Sequence, residues 1–186
     1  MSAIDAVRRR RSHPAVTADA PSHATLSSMI EAAASGADHG SLRPWRLIEL
    51  RGRSRELLGA AFVEASRPKA SGHDGKDDAK LTAKPLRAPL LIAIVAVHKP
   101  SGKVPEWEQD AAAAGVAHVL SLLLDEAGWG VIWRTGTHTR SEPVQRLHQL
   151  APNEKLLGWL YVGGITTKPK PEKRMVFDVE TLISSL

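Results

Sequence analysis

Apolar positions along the chain alternate between helical and strand spacing, and the segments follow in a readable order. Ile4 and Val7 stand three apart with Asp5 between them, which predicts a short helix over 2–11 that ends in four arginines. Residues 13–23 hold two prolines and no periodicity, so they form a loop. Leu26, Met29, Ile30, Ala33 and Ala34 mark one face of a second helix, which Gly36 can stop. Weak alternation over 46–50 predicts a strand, and Leu57, Leu58, Ala61 and Phe62 place a helix over 56–64. Residues 67–80 are polar and read as a mobile surface loop or lid, with a helical turn or two over 81–86. The unbroken apolar run 90–97, bounded by Pro89 and Pro100, is expected to be a strand buried on both faces. The longest helix spans 106–128. Small residues fill its first half and leucines its second, so it is expected to pack centrally, against a copy of itself in one arrangement. A short strand at 130–133, a helix at 143–150 and an apolar strand at 156–162 follow. Residues 166–174 alternate Lys and Pro and should run extended over a surface.

This order gives a mixed fold in which a small sheet is flanked by helices. The 186 residues suit one domain over 1–186 with no dividing linker. No apolar run reaches the ~20 residues of a membrane span, and the basic start lacks a secretory pattern, so a cytoplasmic protein is expected. The absence of cysteine removes disulfides, thiolate nucleophiles and zinc–thiolate sites. The net charge of +5 allows nucleic acid, an anionic membrane surface or a phosphate-bearing ligand. One Tyr and two Phe are a poor supply of stacking platforms for single strands, and no nucleic-acid motif accompanies the charge.

P-loop, dinucleotide-binding and nucleophile-elbow patterns are absent, as is a paired-histidine zinc motif. His73-Asp74 with Asp77-Asp78 reads as a solvated acidic loop rather than a metal site. The chemistry that remains is anion binding. Arg10 and Arg11 can grip a phosphate bidentately, and Ser12 adds a neutral donor. The turn over 130–136 offers backbone amides to a heterocycle's polar edge, and Trp133 offers an apolar wall.

Arg10-Arg11-Ser12, followed by Ala37-Asp38-His39-Gly40-Ser41-Leu42-Arg43-Pro44-Trp45, resembles the nitroreductase family of FMN oxidoreductases. Val104 to Gln109, the Gly-Trp-Gly-Val-Ile-Trp-Arg-Thr-Gly turn over 128–136 and the strand over 156–163 extend that resemblance across most of the chain. It is nearest to the short, compact subgroup of NAD(P)H nitroreductases. The resemblance implies an α+β sandwich with a central, mostly antiparallel sheet, assembled as an intertwined homodimer with FMN at each of two interface sites. Arg10, Arg11 and Ser12 would hold the phosphate and ribityl region, and Trp133, Arg134 and Thr135 would lie along the flavin. Ser35 and His39 would reach it from the second subunit. Lys170 or Arg174 would help with the phosphate. NAD(P)H would deliver hydride, and a nitroaromatic, quinone or similar acceptor would take it away in a ping-pong cycle. No catalytic side chain and no metal are implied; neither is a nucleic-acid or membrane partner. Two departures stand out. Pro14 replaces a basic residue, and Arg43 replaces the Gln usual before Pro-Trp. They motivate the alternative of a flavin-binding or sensing protein without efficient turnover.

Overall fold

A computed structural model of the chain describes residues 2–67, 75–167 and 178–186. The helices are α1 (Ala3–Arg9), α2 (His23–Ala33), α3 (Arg53–Ser66), α4 (Gly75–Ala83), α5 (Glu106–Glu126) and α6 (Glu142–Leu147). The strands are β1 (Trp45–Arg51), β2 (Leu90–Val97), β3 (Trp129–Arg134) and β4 (Glu154–Gly164), in the spatial order β1-β2-β4-β3, and every neighbouring pair is antiparallel. The architecture is the expected α+β sandwich.

β2 sits between β1 and β4 and is covered by helices on both faces. Leu91, Ala93 and Val95 point to one core, with Leu58 and Phe62 of α3, Val144 of α6, and Trp159 and Tyr161 of β4. Leu90, Ile92 and Ile94 point to the other, with Leu26 of α2, Val116, Leu120 and Leu124 of α5, and Val131 of β3. The continuous apolar run therefore reflects two covered faces in an antiparallel sheet, a setting less usual for it than a parallel one.

Several boundaries differ from the sequence expectation for local reasons. α1 stops at Arg9 because Arg10 turns to an extended ψ of 135°, and Ser2 with Asp5 closes a capping box at its start. The polar stretch expected as a loop over 67–80 is helical from Gly75 onward. Gly59 makes that possible, since a Cβ there would lie 2.7 Å from the Thr82 carbonyl oxygen, so α3 and α4 approach closely. Residues 68–74, with His73 and Asp74, lie outside the described residues, as do Lys170 and Arg174 of the basic tail. In the middle of β4, Ile94 faces Gly158 while Val95 faces Leu156, so Leu157 is an extra residue that bulges the strand. Gly158 takes φ +140° at this point.

Candidate active site

The segment that follows α1 meets the outer edge of β3 and then crosses to the end of β4. The His13 backbone N–H donates to the Val131 carbonyl at 3.0 Å, and the Thr17 N–H donates to Gly164 at 2.8 Å. Gly130 and Gly163 leave room for this; a Cβ on either would lie within 2.9 Å of a Val16 methyl. Asp125, on the last turn of α5, fastens the segment. Its carboxylate accepts from the Arg11 N–H at 3.4 Å and lies 3.8 Å from His13 Nε2. Sequence reading missed Asp125 because a lone acid near a helix end carries no distinguishing spacing.

Arg10, Arg11 and Ser12 then divide in role. Arg11 folds back, and its Nη1 donates to the carbonyls of Arg8, Arg9 and Arg10 at 2.7–2.9 Å. It closes the C-terminal end of α1, where a cation also complements the helix dipole. The side chains of Arg10 and Ser12 make no hydrogen bond or ion pair among the described residues, and both are half-buried. Two donor groups at one strand edge, with their capacity unspent, suit a phosphate.

Trp133 and Arg134 lie two and three residues along the same strand from Val131, where the His13 N–H is bonded, roughly 7 and 10 Å away at ~3.3 Å per residue. Alternation sends their side chains to opposite faces. Trp133 packs on the α5 side, where the His118 ring meets it edge-on at 5.0 Å. Its indole Nε1 is buried without a partner. The β4 bulge provides the space, since a Cβ on Gly158 would sit 2.6 Å from that nitrogen. Arg134 turns to the α3 side, with its guanidinium 5.4 Å from the centre of the Tyr161 ring. Thr135, just beyond β3, is exposed.

Ser35 and His39 are elsewhere in the chain. Ser35 is exposed in the turn after α2. His39 stands in the short 3-10 turn His39–Ser41, and its Nδ1 shares a 2.8 Å hydrogen bond with Glu108 at the start of α5. Asp38 closes this loop by accepting from the Arg43 N–H at 2.6 Å. Arg43 itself is exposed, with φ +47°. Because Glu108 and Asp125 mark opposite ends of α5, about 25 Å of helix at ~1.5 Å per residue separates His39 from the Arg11 segment. Within one chain, His39 and the Arg11 segment are therefore not brought together.

Gln109 is a further residue whose part was not legible. It is buried at 1% exposure and staples the loop before α5. Its Oε1 accepts from the Lys99 N–H, and its Nε2 donates to the carbonyls of Lys99 and Val104. The Val104–Gln109 motif is thereby explained as a structural clamp that sets the start of α5.

Comparison with known proteins places the fold in a family. Residues 7–164 match the model of the Nitroreductase family. A relative from Escherichia coli K12, named "Putative NAD(P)H nitroreductase YdjA", is 32% identical over 163 residues, covering 88% of each chain. The crystal structure of a nitroreductase-like family protein from Bacillus cereus superposes with a TM-score of 0.87 at 20% identity, over 100% of this chain and 96% of that one. The FMN and NADPH-dependent nitroreductase NfnB from "sphigopyxis sp. strain HMH" superposes with a TM-score of 0.79 at 17% identity, over 100% and 99%. The fold and these relatives define an oxidoreductase of the α+β sandwich class. The chain belongs to the nitroreductase family. No helix among the described residues is long and apolar enough to cross a membrane.

Proposed function

We propose that the protein is an FMN-dependent NAD(P)H oxidoreductase that works as a homodimer and passes hydride to nitroaromatic, quinone or similar small acceptors. The observation that carries this reading is the pair of donors, Arg10 and Ser12, uncommitted among the described residues, on a segment whose His13 N–H is hydrogen-bonded to Val131 of β3, two residues from Trp133. The residues fit the cofactor. Arg10 and Ser12 would hold the phosphate, with Arg11 keeping the end of α1 in place. Trp133 would wall the ring system, and Arg134 and Thr135 would frame its edge through the β3 backbone. Bound FMN would supply the redox chemistry, taking hydride from NAD(P)H and releasing it to a second substrate in a ping-pong cycle. No side chain needs to act as a base, so the protein's part is to bind, orient and exclude water.

The separation of His39 from the Arg11 segment supports the dimer. Within one chain the two stand toward opposite ends of α5, which fits a site completed by Ser35 and His39 of the partner subunit. His39 suits that role, because Glu108 takes its Nδ1 and leaves Nε2 uncommitted among the described residues. The exposed small residues Ala111 and Gly115 of α5 border a groove of about 410 Å³ beside His39, where a second helix can approach closely.

Purified protein is mixed with FMN, desalted, and given NADPH or NADH under argon. Retained absorbance near ~450 nm that bleaches on addition of either nucleotide is the expected result. Absorbance that is retained but does not bleach would favour a flavin-binding protein without turnover, to which the donor-less Pro14 would contribute. Failure to retain FMN would refute the cofactor assignment.

A further inference from the structure

On the α3 side of the sheet, three cations converge with no carboxylate paired to them among the described residues. Lys84, Arg87 and Arg134 line one pocket of about 170 Å³, and none of them forms an ion pair among the described residues. Other basic side chains do find carboxylates, as Arg46 does with Glu154 and Arg146 with Glu64. Arg134 Nε is buried with no hydrogen-bond partner. Like charges brought together in a half-buried site repel one another, and an anion among them offsets that cost.

Aromatic side chains supply the rest of the pocket. Phe62 stacks on His138 with ring centres 4.5 Å apart and meets Trp159 edge-on at 5.5 Å. Tyr161 stands under Arg134. Burial raises the Tyr161 hydroxyl to about 12, against the pull of Arg134 and Arg87, so it stays protonated and can donate. Cations and a neutral donor recognise an anionic group, and aromatic walls favour an apolar body over bare solvent. A volume of about 170 Å³ corresponds to roughly five or six waters at ~30 Å³ each, enough for one small ring with its charged group.

We propose that this pocket is a binding site for a small organic anion, a carboxylate on a body of about one ring, held by Arg134 and Tyr161 within and by Lys84 and Arg87 at the rim. Arg134 and Thr135, placed above at the flavin edge through the β3 backbone, also line this pocket, but the Arg134 side chain leaves β3 on the face opposite Trp133. The site does not depend on the cofactor assignment, and its test is run with and without FMN.

Calorimetric titration at low ionic strength, with sodium benzoate and inorganic phosphate as probes, tests the site in wild type and in the double variant K84Q/R87Q. Both substitutions lie outside the cofactor-binding set, so FMN retention is expected to stay at the wild-type level. The expected result is saturable binding of benzoate, one per chain, that weakens about tenfold or more in the double variant, as loss of charge-assisted contacts requires. Benzoate should bind with FMN present and should not displace it. Four results would overturn the proposal: no saturable benzoate binding to wild type; equal affinity in the variant, which would put benzoate on another surface; phosphate binding with benzoate silent, which would exclude an organic ligand; and benzoate displacing FMN, which would assign these cations to the flavin.

Discussion

Replacing Arg10 by Ala removes an uncommitted guanidinium, whereas replacing Arg11 by Ala removes a side chain already spent on the end of α1. The two neighbours should therefore fail in different ways. Arg10→Ala is expected to weaken FMN binding by 1.5–3 kcal/mol, roughly ten- to a hundred-fold, while leaving the melting temperature near wild type. Arg11→Ala is expected to lower stability by about 1 kcal/mol, with a smaller effect on FMN. Fluorescence titration of FMN and thermal melting of both variants separate the cases. His148 carries a second expectation at this scale. Its Nε2 accepts from the indole of Trp159 at 3.0 Å, and its Nδ1 lies 2.8 Å from the Val144 carbonyl, so the ring is neutral with the proton on Nδ1. Burial lowers its pKa below the ordinary value, and the charge of Arg46 acts in the same direction. The unfolded chain then binds the proton more tightly than the folded one, so stability is full above about pH 6.5 and falls as pH drops below it. Melting temperatures at pH 7.5 and 5.5 should differ more in wild type than in His148→Gln; an equal difference would show that other groups govern the acid limb.

The elements show where packing constrains the chain more tightly than a sequence pattern does. β2 was legible from residues 90–97 because two covered faces leave no polar position in the run. α4 was not, since Leu81 is its one buried residue among those described and most of its other positions are exposed. A better signal lay in its neighbour, where Gly59 interrupts an otherwise good helix former because the α4 backbone lies against it. The β4 bulge was illegible for a similar reason. Gly158 reads as a weak spot in a strand until the indole of Trp133 and the Arg134 carbonyl are seen against it. Gly158→Ala should thus cost more than a surface glycine would, about 2 kcal/mol or more from strained φ and displacement of Trp133, and FMN retention should drop with it. Chemical denaturation and FMN titration of one preparation measure both. Gln109→Leu should strand the Lys99 and Val104 backbone groups and destabilise by about 2–3 kcal/mol without touching β3.

At the scale of the whole molecule, the grouping of Arg10, Ser12 and Trp133, and of Ser35 and His39 with them, came only through family resemblance, since no local pattern shows that residues 10–13 return to β3 or encodes a two-fold axis. The C-terminal residues add to the proposed assembly. Leu182, at the end of the short turn Val179–Leu182, and Ile183 and Leu186 beyond it are exposed among the described residues. The double variant L182D/I183D is expected to shift sedimentation from dimer toward monomer and to lose FMN together with the dimer. A variant that remains dimeric would remove this segment from the interface. The length of α5 has one more consequence. In the proposed dimer, with His39 and the Arg11 segment toward opposite ends of α5, no chain can rescue itself, yet two differently damaged chains can rescue each other. A protein crippled at Arg10 and Ser12, mixed with one crippled at Ser35 and His39 and allowed to exchange subunits, should recover about a quarter of the wild-type sites, one intact site in each mixed pair. Inheritance would read such a pair of alleles as complementary, although neither alone makes a working enzyme.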